Sequence, residues 1–257
     1  MNLTANGMRV IVTAGGSGIG RTIAQTFHDN GARVHVCDVA PETLEACRSA
    51  GLGATLADVA DPAAVDRLFD EATTRLGGLD LLVNNAGIAG PVGAVEAVPV
   101  ADWDRTIAVN LSGMFYCIRR AVPLLKQAGG GLIVNMSSAA GRLGFPFRSV
   151  YSASKWAIVG LTETLAMELG PDNIRVNAIQ PGIVDGERHW RNAKRKAEVL
   201  GITLEEQERR VLSRVSLRRM VTPQDVANMA LFLASDLGKN ISGQALSVCG
   251  NVETMAP

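Results

Sequence analysis

Tyr151 and Lys155 stand four residues apart in Tyr151-Ser152-Ala153-Ser154-Lys155. On a helix, positions i and i+4 share a face. An ammonium beside a phenol favours the phenolate, and a phenol so placed can exchange a proton with a substrate near neutral pH. Such pairs are common on helix surfaces; a place in an ordered strand–helix series is what gives this one weight. A second group is glycine-rich: Thr13-Ala14-Gly15-Gly16-Ser17-Gly18-Ile19-Gly20. Glycine lets a backbone turn tightly and approach a pyrophosphate closely. A helix starting there aims free N–H groups and a positive dipole end at phosphate oxygens. Asp38 comes eighteen positions after Gly20, at the end of an apolar run. A carboxylate there can accept hydrogen bonds from the adenosine ribose hydroxyls and repels a 2′-phosphate. No Lys or Arg lies within 14–19. The pattern therefore reads as an NAD site, with NADP disfavoured.

These groups need elements to hold them. Arg9–Thr13 is an apolar run of the kind that forms a strand buried on both faces. Residues 19, 23, 24 and 27 then recur at helical spacing over 18–30, and Gly31 follows as a stop. The alternation continues with strands expected at 33–37, 54–57, 79–83, 131–136, 174–179 and 245–248. Helices are expected at 41–50, 62–76, 100–126, 151–169 and 223–234. Asp61-Pro62 has the form of an N-cap followed by a first-turn proline, and Thr222 to Asp225 has capping-box spacing. Repeated strand–helix units imply an α/β fold, one doubly wound parallel sheet of about seven strands with helices on both faces. A single domain over 1–257 is expected. Segment 185–220 breaks the rhythm and is read as an inserted helical hairpin.

Lys plus Arg and Asp plus Glu number 25 each among 257 residues. That balance argues against binding to nucleic acid or an anionic membrane surface. Cys37, Cys47, Cys117 and Cys249 form no Cys-x-x-Cys pair and no zinc-like spacing with His28, His35 or His189, so no metal site is expected. The opening residues lack a signal-peptide run and no stretch has membrane-spanning length, so a soluble, cytoplasmic protein is expected.

In this order the motifs resemble those of the short-chain dehydrogenase/reductase family, over nearly the whole chain. Thr13 to Gly20 follows the family's glycine pattern, with Ala14 in place of its first glycine. Asn84-Asn85-Ala86-Gly87, Asn110, Ser138 thirteen positions before Tyr151, the Tyr151/Lys155 pair and Pro181-Gly182 complete the match. The resemblance implies an enzyme that interconverts an alcohol and a carbonyl by hydride transfer. It implies that Tyr151 moves the hydroxyl proton and Lys155 binds the nicotinamide ribose. Ser138 would bond the substrate oxygen, and Asn110 would hold a relay water. It places Gly15, Ser17, Gly18, Ile19, Gly20, Asp38, Asp58, Val59, Asn85, Ala86, Gly87, Pro181 and Gly182 at the cofactor. The backbone of Ile183 and Val184 joins them, because Gly186 replaces a threonine usual for the amide contact. Ala14 adds a Cβ to the phosphate turn, which is tolerable if its φ is negative. Cys249 and Asn251 depart from the family's ending. A homotetramer through the long helices is also implied.

Segment 185–220 is expected to cover the substrate. Its Arg188, His189, Trp190, Arg191, Lys194, Arg195 and Lys196 read either as an anion site or, with more weight, as a solvated face paired to Glu198, Glu205 and Glu206. Phe145, Pro146 and Phe147 are expected to wall an apolar pocket, with Ile88, Ala89, Gly90 and Pro91 as the opposite lip. Two other functions fit the motifs: a 3-oxoacyl thioester reductase of the same family, and a non-catalytic nucleotide sensor.

Overall fold

The computed structural model describes residues 3–255, apart from the side chains of Arg188, Asn192, Arg195, Lys196 and Val199. Strands β1 (Arg9–Thr13), β2 (Arg33–Asp38), β3 (Gly53–Leu56), β4 (Leu81–Asn84), β5 (Gly131–Met136), β6 (Ile174–Pro181) and β7 (Ala245–Val248) form one sheet. All neighbouring pairs are parallel, in the order β3-β2-β1-β4-β5-β6-β7. The seven-stranded parallel sheet expected from the alternation is present. Boundaries differ by a residue or two, as at β4, which starts at Leu81 rather than Leu79.

Helices α1 (Gly18–Asp29), α2 (Pro41–Ser49) and α3 (Pro62–Leu76) link the first strands. Then come α4 (Val100–Ile107), α5 (Gly113–Gln127), α6 (Ser149–Leu169), α7 (Glu187–Leu200), α8 (Leu204–Leu212) and α9 (Pro223–Ala234). Period-two alternation along the central strands sends side chains to two cores. Val10 and Val12 of β1 face α1, α2 and α9. Ile11 between them faces α3, α5 and α6. Covering both faces removes nearly all of the apolar strand surface from water, at about 25 cal/mol per Å².

Local signals set the helix ends. The Asp61 carboxylate accepts from the Ala63 N–H (2.9 Å) and opens α3, which Gly77 closes at φ +77°. Thr222 and Asp225 cap α9 reciprocally at 2.7 and 3.1 Å. The continuous helix expected over 100–126 is instead interrupted: residues Ala108–Ser112 form a π-helical turn between α4 and α5. Such turns insert one residue into the ladder and are frequent at functional sites. After β1 the chain runs outward to β2 and β3, then returns to β4 on β1's other side. That reversal opens a crevice at the strands' carboxyl ends. Among the described residues, no helix is long and apolar enough to cross a membrane.

Candidate active site

The glycine turn lies at the crevice, and each glycine has its own reason. A Cβ on Gly15 would stand 2.6 Å from Val36 Cγ1 of β2, so the turn can lie flat on the sheet only without one. A Cβ on Gly16 would meet the Asp38 carboxylate at 2.8 Å. Its absence lets the Gly16 N–H donate to Asp38 Oδ2 (3.0 Å). A Cβ on Gly20 would collide with the Ala14 carbonyl, so α1 can press against the turn. Gly18, at φ +52°, has open space around it at the start of α1. A cradle closed below and open above the helix N-terminus fits a dinucleotide pyrophosphate. Asp38 Oδ1 meanwhile accepts from Val39 N (2.8 Å) and Ala40 N (3.3 Å), which fixes the carboxylate at the tip of β2.

Ala14 does not meet the condition of a negative φ. It stands at φ +48°, not at a negative angle. Asn85 holds it there: Nδ2 donates to the carbonyls of Thr13 and Ala14, both at 3.1 Å. Thr13 Oγ1 in turn accepts from the N–H groups of Asn85 and Ala86, each at 3.0 Å. Thr13 is a residue to which sequence reasoning gave no role. Its signal was a hydroxyl at the last position of a buried strand.

Lys155, Tyr151, Asn110 and Ser138 come together at the end of β5. Lys155 is buried, 4% exposed, and its Nζ donates to the carbonyl of Met136, the last residue of β5, at 2.8 Å. The same Nζ lies 5.7 Å from the Tyr151 ring centroid. Ser138 is two residues past Met136, and its Oγ accepts from Ala140 N at 3.2 Å. Ser137 pins this loop to α6 through Lys155 O (2.8 Å). Asn110 sits in the π turn, fully buried. Its Oδ1 accepts from Ile88 N (2.8 Å), and its Nδ2 donates to Ile88 O (3.0 Å) and Ser154 Oγ (3.1 Å). Ser154 then donates to Tyr151 O at 2.8 Å. Sequence reasoning missed Ser137, whose partner lies on α6, and Ser154, which links Tyr151 O of its own helix to Asn110 of the π turn. Gly87 lines the same space: a Cβ there would stand 3.3 Å from Asn110 Oδ1 and 3.5 Å from Lys155 Nζ.

Other expected residues fall around this core. Asp58 Oδ1 accepts from Ala60 N (3.0 Å) and its Oδ2 from Arg105 Nη2 (2.7 Å), while Val59 is buried against Gly113. Pro181 ends β6, and Gly182 N donates to Val248 O at 2.9 Å. Ile183 O accepts from Val221 N (3.0 Å), and Val184 bridges to Val221. Cys249 fills the space that a Cβ on Gly182 would need, at 2.7 Å. Asn251 stands at φ +59°, a left-handed position that Asn tolerates, and donates to Ser216 Oγ at 2.7 Å. The Asn251 departure thereby has a structural reason; nothing in these contacts explains cysteine at 249.

The inserted segment is the expected hairpin, α7 and α8. Glu206, one of the acidic residues expected to pair with the basic cluster, pairs with Arg209 and Arg210 of its own helix. Arg191 and Lys194 are exposed; the side chains of Arg188, Arg195 and Lys196 lie outside the described residues. Trp190 Nε1 donates to Asp185 Oδ1 at 2.7 Å. Burial pushes the His189 imidazole below its usual range, against the pull of Asp185 and Glu208.

The geometry defines a dinucleotide-fold oxidoreductase site, with a cradle on one side and a phenol–ammonium pair on the other. Comparison agrees. A family model described as enoyl-(acyl carrier protein) reductase matches residues 13–251. A probable galactose dehydrogenase of Rhizobium meliloti (strain 1021) is 41% identical over 250 residues, 95% of this chain and 94% of that protein. The crystal structure of NAD+-bound xylitol dehydrogenase matches with TM-score 0.89 at 31% identity, covering 96% of this chain and 99% of that one. A 7α-hydroxysteroid dehydrogenase complexed with NADH and a 7-oxo bile acid matches with TM-score 0.85 at 35% identity, covering 98% and 96%. The chain belongs to the short-chain dehydrogenase/reductase family.

Proposed function

We propose that this protein is an NAD-dependent oxidoreductase that interconverts an alcohol and a carbonyl compound, with Tyr151 as the proton-transfer residue. The observation that carries this reading is the buried Lys155 ammonium, anchored on Met136 O and set 5.7 Å from the Tyr151 ring, beside Ser138. Ser138 Oγ bonds the substrate oxygen. Tyr151, as phenolate, takes the hydroxyl proton during oxidation and returns it during reduction. Lys155 stabilises the phenolate and holds the nicotinamide ribose; Asn110 keeps the polar path behind Lys155 in place. NAD, when bound, supplies the nicotinamide carbon that accepts or returns the hydride.

The cofactor rests on the glycine turn, with Asp38 at the adenosine ribose, which favours NAD over NADP. Asp58, Val59, Asn85 to Gly87 and Pro181 to Val184 line the rest of its path. The chain acts as one domain, and 185–220 covers the substrate. Phe115, Trp156 and Met167 are 50%, 50% and 82% exposed on α5 and α6. Apolar surface of that kind supports a homotetramer assembled through these helices; sedimentation at the monomer mass would overturn it.

The test follows reduced-nicotinamide absorbance over a panel of secondary alcohols, polyols, sugars, hydroxy acids and hydroxysteroids, with NAD and NADP in parallel. Tyr151→Phe should lower turnover by about 10²- to 10⁴-fold and leave NAD binding intact. Turnover that survives the substitution defeats the reading. NAD binding without turnover on any alcohol shifts weight to a nucleotide sensor.

A further inference from the structure

Arg148 caps α6 three residues before Tyr151 and belongs to no part of the machinery described so far. Its guanidinium carbon lies 5.1 Å from the Tyr151 ring centroid and 5.3 Å from that of Phe145. Its Nη2 donates to the Ala89 carbonyl at 2.7 Å, across the mouth of the crevice. A second bond ties the same two loops: Gly93 N donates to Phe147 O at 3.0 Å. Phe147 is held at φ +63° and is 54% exposed, a strained placement for a bulky residue. The rim is therefore fastened at two points, and the fastening runs through a cation that touches the reacting ring.

We propose that Arg148 is a positioning residue for Tyr151, clasping the two rim loops and setting a second positive charge, beside Lys155, against the phenol. The proposal rests on Tyr151 being the proton-transfer residue. The face of an aromatic ring attracts a cation, and a phenolate attracts it more strongly than a phenol. Both cations lie within about 6 Å of the ring centroid, at 5.1 and 5.7 Å. Among the described residues, the cations within about 6 Å of the ring centroid are these two, carried by α6 and its N-cap. The β5–α6 loop adds uncharged Ser138, and its Arg142 is turned away to Val252 O (3.1 Å). The lip at Ile88–Pro91 is uncharged. Helix α7 carries His189 and Arg191, and the Arg188 side chain lies outside the described residues.

The chain has two tyrosines, Tyr116 and Tyr151, so Tyr151 can be read alone. Phenolate absorbance in the near ultraviolet, followed against pH in a Tyr116→Phe background, reports its ionisation with or without NAD and without any substrate. Arg148→Met and Arg148→Gln should each move the midpoint to higher pH than in the wild type. Arg148→Gln retains a donor for Ala89 O, which guards against loss of fold in the methionine variant. Arg148→Lys keeps the charge and should titrate close to wild type. A midpoint unchanged in both neutral variants overturns the proposal, and so does a lysine variant that titrates like methionine. Failure of the functional reading looks different: wild type would show no turnover dependent on Tyr151 while the titration shift persisted.

Discussion

Ala14 occupies a left-handed backbone position, φ +48°, immediately before Gly15. For a residue with a Cβ that conformation costs about 1–2 kcal/mol. Ala14→Gly relieves the cost but enlarges the freedom of the unfolded chain, which returns roughly 0.4–1 kcal/mol. The net expectation is a stabilisation of about 1 kcal/mol, or about 2–4 °C in Tm for a protein of this size. Thermal unfolding of the apo protein measures it. The mechanism has a second signature. Asn85 holds the turn through the carbonyls of Thr13 and Ala14, so Asn85→Ala should cost about 1–3 kcal/mol in the parent. The same substitution should cost less in the Ala14→Gly background, where the backbone adopts the turn without being forced. A neutral or destabilising Ala14→Gly, or strict additivity in the cycle, would refute the view that the turn is strained and that Asn85 holds it.

Two further outcomes follow from named residues. Asp38→Asn should narrow the proposed preference for NAD by about tenfold or more, read as the ratio of kcat/KM for the two cofactors, because the repulsion of a 2′-phosphate is removed. His35 is buried on β2, bonded to Thr55 at 2.9 Å, and burial pushes its pKa from 6.5 to about 4, with Arg75 and Arg48 adding to the fall against Glu71. The neutral ring is the folded form, so its stability contribution is complete above pH 6.5 and lost as pH falls towards 4. A shift of that size corresponds to about 3 kcal/mol. Urea unfolding across that window should show the decline, and His35→Gln should flatten it; an equal slope in the variant counts against the assignment.

Much of this architecture was readable in the sequence because its signals are local. Apolar runs such as Val10–Val12 need burial on both faces, and Asp61-Pro62 or Thr222 to Asp225 satisfy helix ends with their own neighbours. The Tyr151/Lys155 pair needed only helical periodicity to share a face. What escaped depends on partners distant in the chain. The π turn at Asn110 leaves no mark, since the apolar spacing over 100–126 suits an unbroken helix equally well. Ala14 gave no sign of its positive φ, which is enforced by Asn85 just past the end of β4. Arg148 looked like any polar residue ahead of a helix until the fold placed it over Tyr151 and against Ala89. On α8, Glu206 finds its partners within its own helix, in Arg209 and Arg210.

The return of the chain from β3 to β4 also bears on the order in which the protein is made. The Asn85 amide that secures the glycine turn lies 71 residues beyond Ala14. On the ribosome, β1, β2 and β3 emerge first and can pair among themselves while the other edge of β1 waits for β4. The nucleotide cradle is then only half built, its turn unlatched and one edge of its central strand exposed. Contacts that close such long loops form slowly, and open strand edges invite association meanwhile. Synthesis thus leaves a vulnerable interval that ends when Leu81–Asn84 docks.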